Sequence, residues 1–558
     1  MNPQVAHLFA SNKKKVTRSE TKRICDLPTK RREYKDMTEA LRTPDGEMRL
    51  RPIQSEALIE AQKTKGLIAL IGCGHGKTLI TLLLGRVMKK TRVLLLVPAS
   101  LREKTKSEAE EYQKHFQFEI PYVVSYQKLS RPSGLRILKE YAPDLIICDE
   151  AHHLKDMTST RTKRLARFLV ENGKCRFVAM SGTLYNRSIG DIAHLSDWAL
   201  EENSPFPRNS RDVEVFDAVL TGDANKYQYG TWAPMRKWGD DPRSATYARI
   251  CSAAGVVVTV EAEVGSSLQI HTRDLKIPKE LKDAIRQGFE EGPMAETLST
   301  LDIDFDSDAI TASQHLWQDA DAFALRALSQ MNMGMLYYWD WPDGEPDTEW
   351  LEHRRAWNRA LNKILEIDIP DFDSRYLIES GFTDLPLDLQ GAFEEAYDAW
   401  QRVKDRPVPP KKTVWVSRYL IEDIAIWASE QTVPYIIWVD FVEFGRELSS
   451  ALNIPYYGGG SSIPPHAENC IMSIKSHATG KNLQVWSVSL IAHPLADATM
   501  SEQLIARTHR KGQRADTVHI CTYKHSIFGS ASYRAYCRAK IISETTGQPQ
   551  RLIYADRI

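Results

Sequence analysis

Gly66 to Lys90 read GLIALIGCGHGKTLITLLLGRVMKK. A short apolar run, a glycine-rich turn and a helical pattern follow one another, the strand–loop–helix context of a phosphate-binding loop. Gly74 and Gly76, on either side of His75, let backbone N–H groups approach phosphate oxygens, and the helix that follows adds its positive end. Lys77 is placed to reach terminal phosphates, and the Thr78 hydroxyl to hold Mg²⁺. Against the full GxxxxGK[ST] pattern, Ile71 stands where the first Gly belongs, with Gly72 beside it.

A second stretch, Asp144 to Asp156, reads DLIICDEAHHLKD. A buried strand over Leu145 to Cys148 ends in two carboxylates, as ligand sites gather at the C-terminal strand ends of parallel sheets. Asp149 is expected to orient Mg²⁺ through its water shell and Glu150 to polarise an attacking water. His152 and His153 are not read as a zinc pair. Adjacent histidines point in different directions, and no Cys or third His lies at ligand spacing. Near the C-terminal end, Gln503 to Gln513 read QLIARTHRKGQ. The run is helix-compatible and puts Arg507 and Arg510 three residues apart, hence on one helical face. Two guanidiniums set by a nearby Gln suit a phosphoryl group with developing charge. On these residues alone a solvated surface helix is the alternative.

Together these stretches, with Met180 to Thr183 (MSGT), resemble the superfamily-two helicases, and specifically the Swi/Snf-like double-stranded-DNA translocases. The resemblance spans roughly residues 50 to 200 and 411 to 525. It implies ATP and Mg²⁺ as cofactors and double-stranded DNA as partner, branched or single-stranded DNA being variants. Within it LRPIQ, Leu50 to Gln54, is similar to the adenine-reading motif, with Gln54 on the base. LLLVPASL (Leu94 to Leu101) and VSYQKL (Val124 to Leu129) correspond to first-lobe DNA contacts, with Pro98, Ser100 and Ser125 as the candidates. SGTLYNR, Ser181 to Arg187, corresponds to the inter-lobe coupling motif, with His152, Ser181 and Thr183 in that role. In the second lobe, YIIWVDF (Tyr435 to Phe441), YYGGG (Tyr456 to Gly460) and IMSIKSHATGKNLQ (Ile471 to Gln484) fall in the family's order, with Lys475, Ser476, Gly480 and Asn482 on DNA. Gln503, Arg507 and Arg510 complete an ATP site that the resemblance places between two RecA-like lobes. Two departures stand out: His477 to Thr479 replace the usual earlier glycines of the DNA loop, and Ala506 replaces the Gly before the first Arg.

The chain has 558 residues and a formal net charge of zero. That length exceeds one core and predicts two to four domains. There is no run of eighteen apolar residues and no signal-peptide pattern, so no membrane association is expected. The eight cysteines form no CxxC pair, which reads as reduced thiols in a cytoplasmic setting. The neutral total hides an uneven distribution. Residues 281 to 400 hold 26 Asp or Glu against 8 Lys or Arg, leaving 65 basic against 47 acidic residues elsewhere. A basic nucleic-acid-binding frame with an acidic insertion accounts for this. LDIDFDSD, Leu301 to Asp308, is the sharpest acidic patch. The whole acidic segment, residues 281–400, is a candidate for a protein partner or for self-inhibition. The basic runs before residue 36 (KKKVTRSETKR, KRREYK) are expected to be disordered until they meet DNA phosphates, a nuclear-targeting signal being the alternative.

The expected fold is α/β: two RecA-like lobes with parallel sheets plus a mainly helical acidic insertion. Residues 1–49 read as the basic arm, 50–275 as the first lobe, 276–410 as insertion and linker, and 411–558 as the second lobe. Strands are predicted at GLIAL, RVLLLVP, YVVSY, DLIICDE and RFVAMSG. The aromatic MLYYWDWP, Met335 to Pro342, reads as core in preference to a base-stacking surface. Pro407 to Lys412 (PVPPKK) reads as a rigid linker. Four functions are compared: duplex-DNA translocase, strand-separating or branch-migrating helicase, DEAH-type RNA helicase, and DNA-bound adaptor. The first is expected, in a monomer of bacterial or phage type acting at the nucleoid or in the infected host, with a nucleus as the alternative.

Overall fold

The computed structural model describes residues 19–30, 35–72, 74–186, 188–259, 264–290, 303–304, 311–312, 322–342, 344–367, 369, 372–381, 385, 387–478 and 481–558. The expectations for Gly480, for the acidic run beyond Ile303–Asp304 and for residues 1–18 and 31–34 of the basic arm fall outside that set. The chain divides into two units. One holds Met1–Glu261, Pro346–Pro407 and Ile541–Gln548; the other holds Ala262–Glu345, Val408–Lys540 and Pro549–Ile558.

The first unit is built on six strands: β1 (Leu67–Leu70), β2 (Val93–Val97), β3 (Tyr122–Ser125), β4 (Leu145–Asp149), β5 (Arg176–Met180) and β6 (Val256–Val258). Their order is β3-β2-β4-β5-β1-β6, parallel throughout. Helices cover both faces, so β1, β2 and β4 are wholly buried. This is why they read as unbroken apolar runs rather than alternating ones. The order decides the site. β5 lies between β1 and β4, pairing Met180 with Ala69 on one side and with Asp149 on the other. The loop after β1, the two carboxylates at the end of β4 and Ser181 after β5 therefore meet at one edge.

Part of the basic arm belongs to this unit, against the expectation of disorder up to residue 36. Glu20–Asp26 is a helix. Its Arg23 donates to the carbonyls of Glu202, Ser204 and Phe206 and pairs with Glu20 at 2.9 Å. Lys30 bonds Glu56 at 2.9 Å and the Val256 carbonyl at 2.8 Å. These cations are satisfied inside the protein, which charge counting along the chain does not reveal.

The second unit carries seven parallel strands in the order Tyr456–Tyr457, Cys470–Ser473, Tyr435–Val439, Val488–Ile491, Thr517–Tyr523, β7 (Ser267–Arg273), Asp556–Arg557. β7 was expected within the first lobe. It pairs with Thr517–Tyr523 over its full length and so belongs to this sheet. The segment expected as one insertion is shared between the units. Pro346–Pro407 goes with the first, as helices Thr348–Ile367, Arg375–Gly381 and Leu387–Val403 around a small apolar core that includes Trp357 and Phe393. Met335–Trp339 is a strand of the second unit, antiparallel to Lys411–Trp415. The aromatic run and the end of the expected linker are thus the two halves of one ribbon. Met335 is buried, Leu336 and Tyr337 pack partly buried against the core of this unit, and Tyr338 is 46% exposed.

Candidate functional site

The loop after β1 turns on Gly74 (φ +90°) and Gly76 (φ +74°), both in the left-handed region. A Cβ at Gly76 would run into the Gln54 amide. Gln54 sits in the first turn of helix Pro52–Thr64. Its Nε2 donates to the Gly76 carbonyl at 3.1 Å, and its Oε1 accepts from the Arg51 N–H at 2.8 Å. Arg51 in turn donates to the Gly74 carbonyl at 2.9 Å. LRPIQ thus engages the Gly74 and Gly76 carbonyls and leaves the N–H groups of the turn as the candidates for an anion. Helix Lys77–Val87 begins at once, with Gly76 as its N-cap.

Lys77 Nζ donates to the Ile71 carbonyl at 3.1 Å and lies 3.5 Å from Glu150 Oε1. The residue that departs from the motif thus contributes a backbone oxygen, which every residue type supplies. Glu150 has φ +54°, unusual for a residue with a side chain. Ser181 Oγ donates to its Oε2 at 2.8 Å. His152 Nδ1 lies 3.3 Å from the same oxygen, 3.2 Å from Ser181 Oγ and 3.3 Å from Thr183 Oγ1. Burial alone would raise the Glu150 carboxyl, but Lys77, His152 and Ser181 outweigh it and hold it well below the usual range. Asp149 behaves oppositely. Burial and the adjacent Glu150 push it up to about 6, against the pull of Lys77. Two carboxylates therefore share one ammonium in a dry pocket, an excess of negative charge that fits a divalent cation. Asp149, with Thr78 at the helix start, would hold that cation.

Tyr126, which sequence reasoning passed over, donates its buried hydroxyl to the Asp149 carbonyl at 2.8 Å and stacks near the ring of His153, with centroids 5.0 Å apart. Gln548 Nε2 donates to the Gly182 carbonyl at 3.3 Å. Neither contact has a local sequence signal. Of the first-unit DNA candidates, Ser100 is exposed, while Pro98 and Ser125 are buried. Ser125 Oγ caps helix Tyr126–Leu129 by accepting from the Lys128 N–H at 3.2 Å.

In the second unit, helix Ala498–Thr508 is capped by Asp497, whose side chain accepts from Met500 at 2.9 Å. The helix ends at Thr508, so Arg507 and Arg510 do not share a helical face as expected. His509 leaves helical geometry (ψ 83°), and Arg510 follows in a turn. The two guanidiniums nevertheless converge. Arg507 NH1 donates to the Lys481 carbonyl at 3.2 Å, and Arg510 NH1 to Asn482 Oδ1 at 2.7 Å. Gln503 is buried, and its carbonyl accepts from Arg507 Nε at 2.9 Å. Gln513 closes the turn, its Nε2 donating to the carbonyls of Trp486 at 2.9 Å and Thr508 at 3.1 Å. Lys475 is exposed and pairs with Asp440 at 3.0 Å; Ser476 is half-buried. His477 lies 3.0 Å through Nε2 from the Gly458 carbonyl and so ties this loop to the YYGGG turn.

Residues 47–186 match the family model described as type III restriction enzyme, res subunit. That family model describes a superfamily-two helicase-like ATPase domain, to which this segment is similar. The match covers about a quarter of the chain and includes the glycine-rich loop, the β4 carboxylates and Ser181. No curated protein matches the chain. Within the matched segment, Arg51 and Gln54 hold the carbonyls of the glycine-rich loop, and Lys77, Glu150, His152, Ser181 and Thr183 form a second hydrogen-bonded and ion-paired set beside Asp149, at the ends of β1, β4 and β5. Among the described residues no helix is long and apolar enough to cross a membrane, and no group of three or more His, Cys, Asp or Glu side chains is arranged to hold a metal ion.

Proposed function

We propose that the chain is an ATP-driven translocase on duplex DNA. The observation that carries the proposal is the Lys77–Glu150–Ser181–His152 network beside Asp149 at the ends of adjacent parallel strands. The loop N–H groups and Lys77 bind the phosphates. Thr78 and Asp149 hold Mg²⁺, which neutralises phosphate charge when bound. Glu150 is kept ionised by Lys77, His152 and Ser181, so it can accept a hydrogen bond from a water and hold it, polarised, in line with the terminal phosphate. His152, Ser181 and Thr183 make the position of that carboxylate depend on the segment after β5, the route by which hydrolysis is coupled to movement. Arg507 and Arg510 serve the charge developing on the phosphoryl group. Lys475, Ser476, Gly480 and Asn482, with Ser100, serve the DNA backbone, while the buried Pro98 and Ser125 shape the turns after β2 and β3.

The choice of duplex DNA rests on the HRKGQ ending and the order of the second-lobe motifs, which resemble the Swi/Snf-like translocases. ATP turnover measured with duplex DNA, single-stranded DNA and RNA at matched salt tests it, since phosphate contacts are salt-dependent. Duplex DNA should stimulate most; stimulation by RNA alone overturns the proposal. Lys77→Ala should abolish turnover in every case, and its retention would remove the nucleotide site from the loop.

A further inference from the structure

The last ten residues hold the turn that carries Arg510. Helix Ala498–Thr508 stops one residue short of His509, and the His509 carbonyl accepts two hydrogen bonds from one guanidinium, Arg551 Nε at 3.2 Å and NH2 at 3.0 Å. A cation at a helix C-terminus is favourable in itself, because it meets unpaired carbonyls and the negative end of the helix dipole. Arg551 is buried, and it is braced. Its NH1 pairs with Glu502 Oε1, and its backbone N–H donates to Glu502 Oε2 at 2.7 Å. Glu502 lies on the same helix as Arg507, so the brace links the helix body to its own end through the C-terminal segment. Downstream, Asp556–Arg557 pairs with β7. Upstream of β7, the Ser266 carbonyl lies 2.9 Å from His509 Nε2. The His509–Arg510 peptide is thus gripped at its carbonyl by Arg551, and the His509 ring is held against the segment before β7.

We propose that Arg551, braced by Glu502, is a positioning residue for Arg510, so that the C-terminal segment Pro549–Ile558 is a working part of the hydrolytic machinery. The proposal rests on the reading of Arg510 as a phosphoryl-facing residue. The N–H of the same peptide, on Arg510, donates to the Thr508 carbonyl at 3.1 Å, so Arg551 and the helix end hold the two sides of one peptide unit, and a rotation released by loss of Arg551 swings the Arg510 side chain. Misplacement by about 1 Å is enough to lose on the order of 10²-fold in rate.

The test uses the full chain with saturating duplex DNA and compares Arg510→Ala, Arg551→Met, Arg551→Lys, Glu502→Gln and the double variant Arg510→Ala/Arg551→Met. Turnover number, KM for ATP and thermal midpoint are read for each. Arg551→Met should lower the turnover number about tenfold or more at little change in KM, by loss of alignment. Arg551→Lys, which keeps the charge but not the two-pronged grip, and Glu502→Gln should fall between it and the wild type. The double variant should be no slower than Arg510→Ala alone, since both act through one group. Multiplying losses in the double variant, or unchanged turnover in Arg551→Met, overturn the positioning role. Should Arg551→Met fail to fold, wild-type turnover in both Arg551→Lys and Glu502→Gln overturns it equally. If Arg510→Ala itself keeps wild-type turnover, the reading of Arg510 fails instead, and the two failures are distinct.

Discussion

Asp149 and Glu150 are neighbours of the same chemistry whose surroundings drive them apart. Glu150 has Lys77, His152 and Ser181 on its oxygens; Asp149 has burial and its charged neighbour against it. The consequence for stability has a definite sign. Asp149 ionises at about 6 in the folded chain, against about 3.9 in an unfolded one. The fold therefore prefers the protonated form. Stability from this group is full below the unfolded value and is lost as pH rises through about 6, so near pH 7.5 the ionised side chain is a cost. Asp149→Asn should raise the thermal midpoint at pH 7.5, by about 1–3 kcal/mol of unfolding free energy, while removing Mg²⁺-dependent turnover. The gain should disappear when the melt is repeated near pH 4. A variant less stable than wild type at pH 7.5 would contradict the assigned environment.

Among elements, helix Thr160–Glu171 explains how the inserted Pro346–Pro407 segment joins the first unit. Arg164 and Asp373 form a two-pronged pair at 2.8 and 2.6 Å, with both side chains fully buried. Arg167 adds a second cation at 3.2 Å, and Thr160 donates to the Asp373 carbonyl at 2.9 Å. Arg164 NH1 also donates to the Leu129 carbonyl at 3.0 Å and to that of Arg131. One buried guanidinium thus ties the insertion to the end of the VSYQKL motif. Asp373→Ala would strand buried positive charge and should destabilise the chain by about 3–5 kcal/mol, read as a lowered denaturant midpoint. A loss under about 1 kcal/mol, the range of exposed pairs, would mean that water reaches the site. The strands around this helix were legible because fully buried parallel strands are apolar runs ended by glycine or charge. The grip on Asp373 was not, because the partners lie 209 residues apart and neither has a patterned neighbourhood.

At the scale of the whole molecule, the zero net charge is a sum of unlike parts. The acidic excess of residues 281–400 is shared between the two units, since the chain changes unit at Pro346. It is therefore not the charge of one separable module. If the run at residues 301–308 competes with nucleic acid, its deletion should raise turnover in the absence of DNA and steepen the salt dependence of DNA stimulation, because salt no longer weakens a competitor along with the DNA. Equal turnover with and without the run would make it a solvated segment.

What the sequence determined by itself is whatever chemistry writes into neighbouring residues: the glycine-rich turn before Lys77, the carboxylates closing an apolar run, the α/β alternation with parallel strands. These depend on spacings of a few residues and survive in any context. Tertiary structure alone decided where helix Ala498–Thr508 ends, which sheet takes β7, how the insertion is divided and that Arg551 holds the His509 carbonyl. Each of these turns on a buried polar group finding its partner hundreds or tens of residues away. Desolvation makes that pairing obligatory, while nothing in the local pattern names the partner.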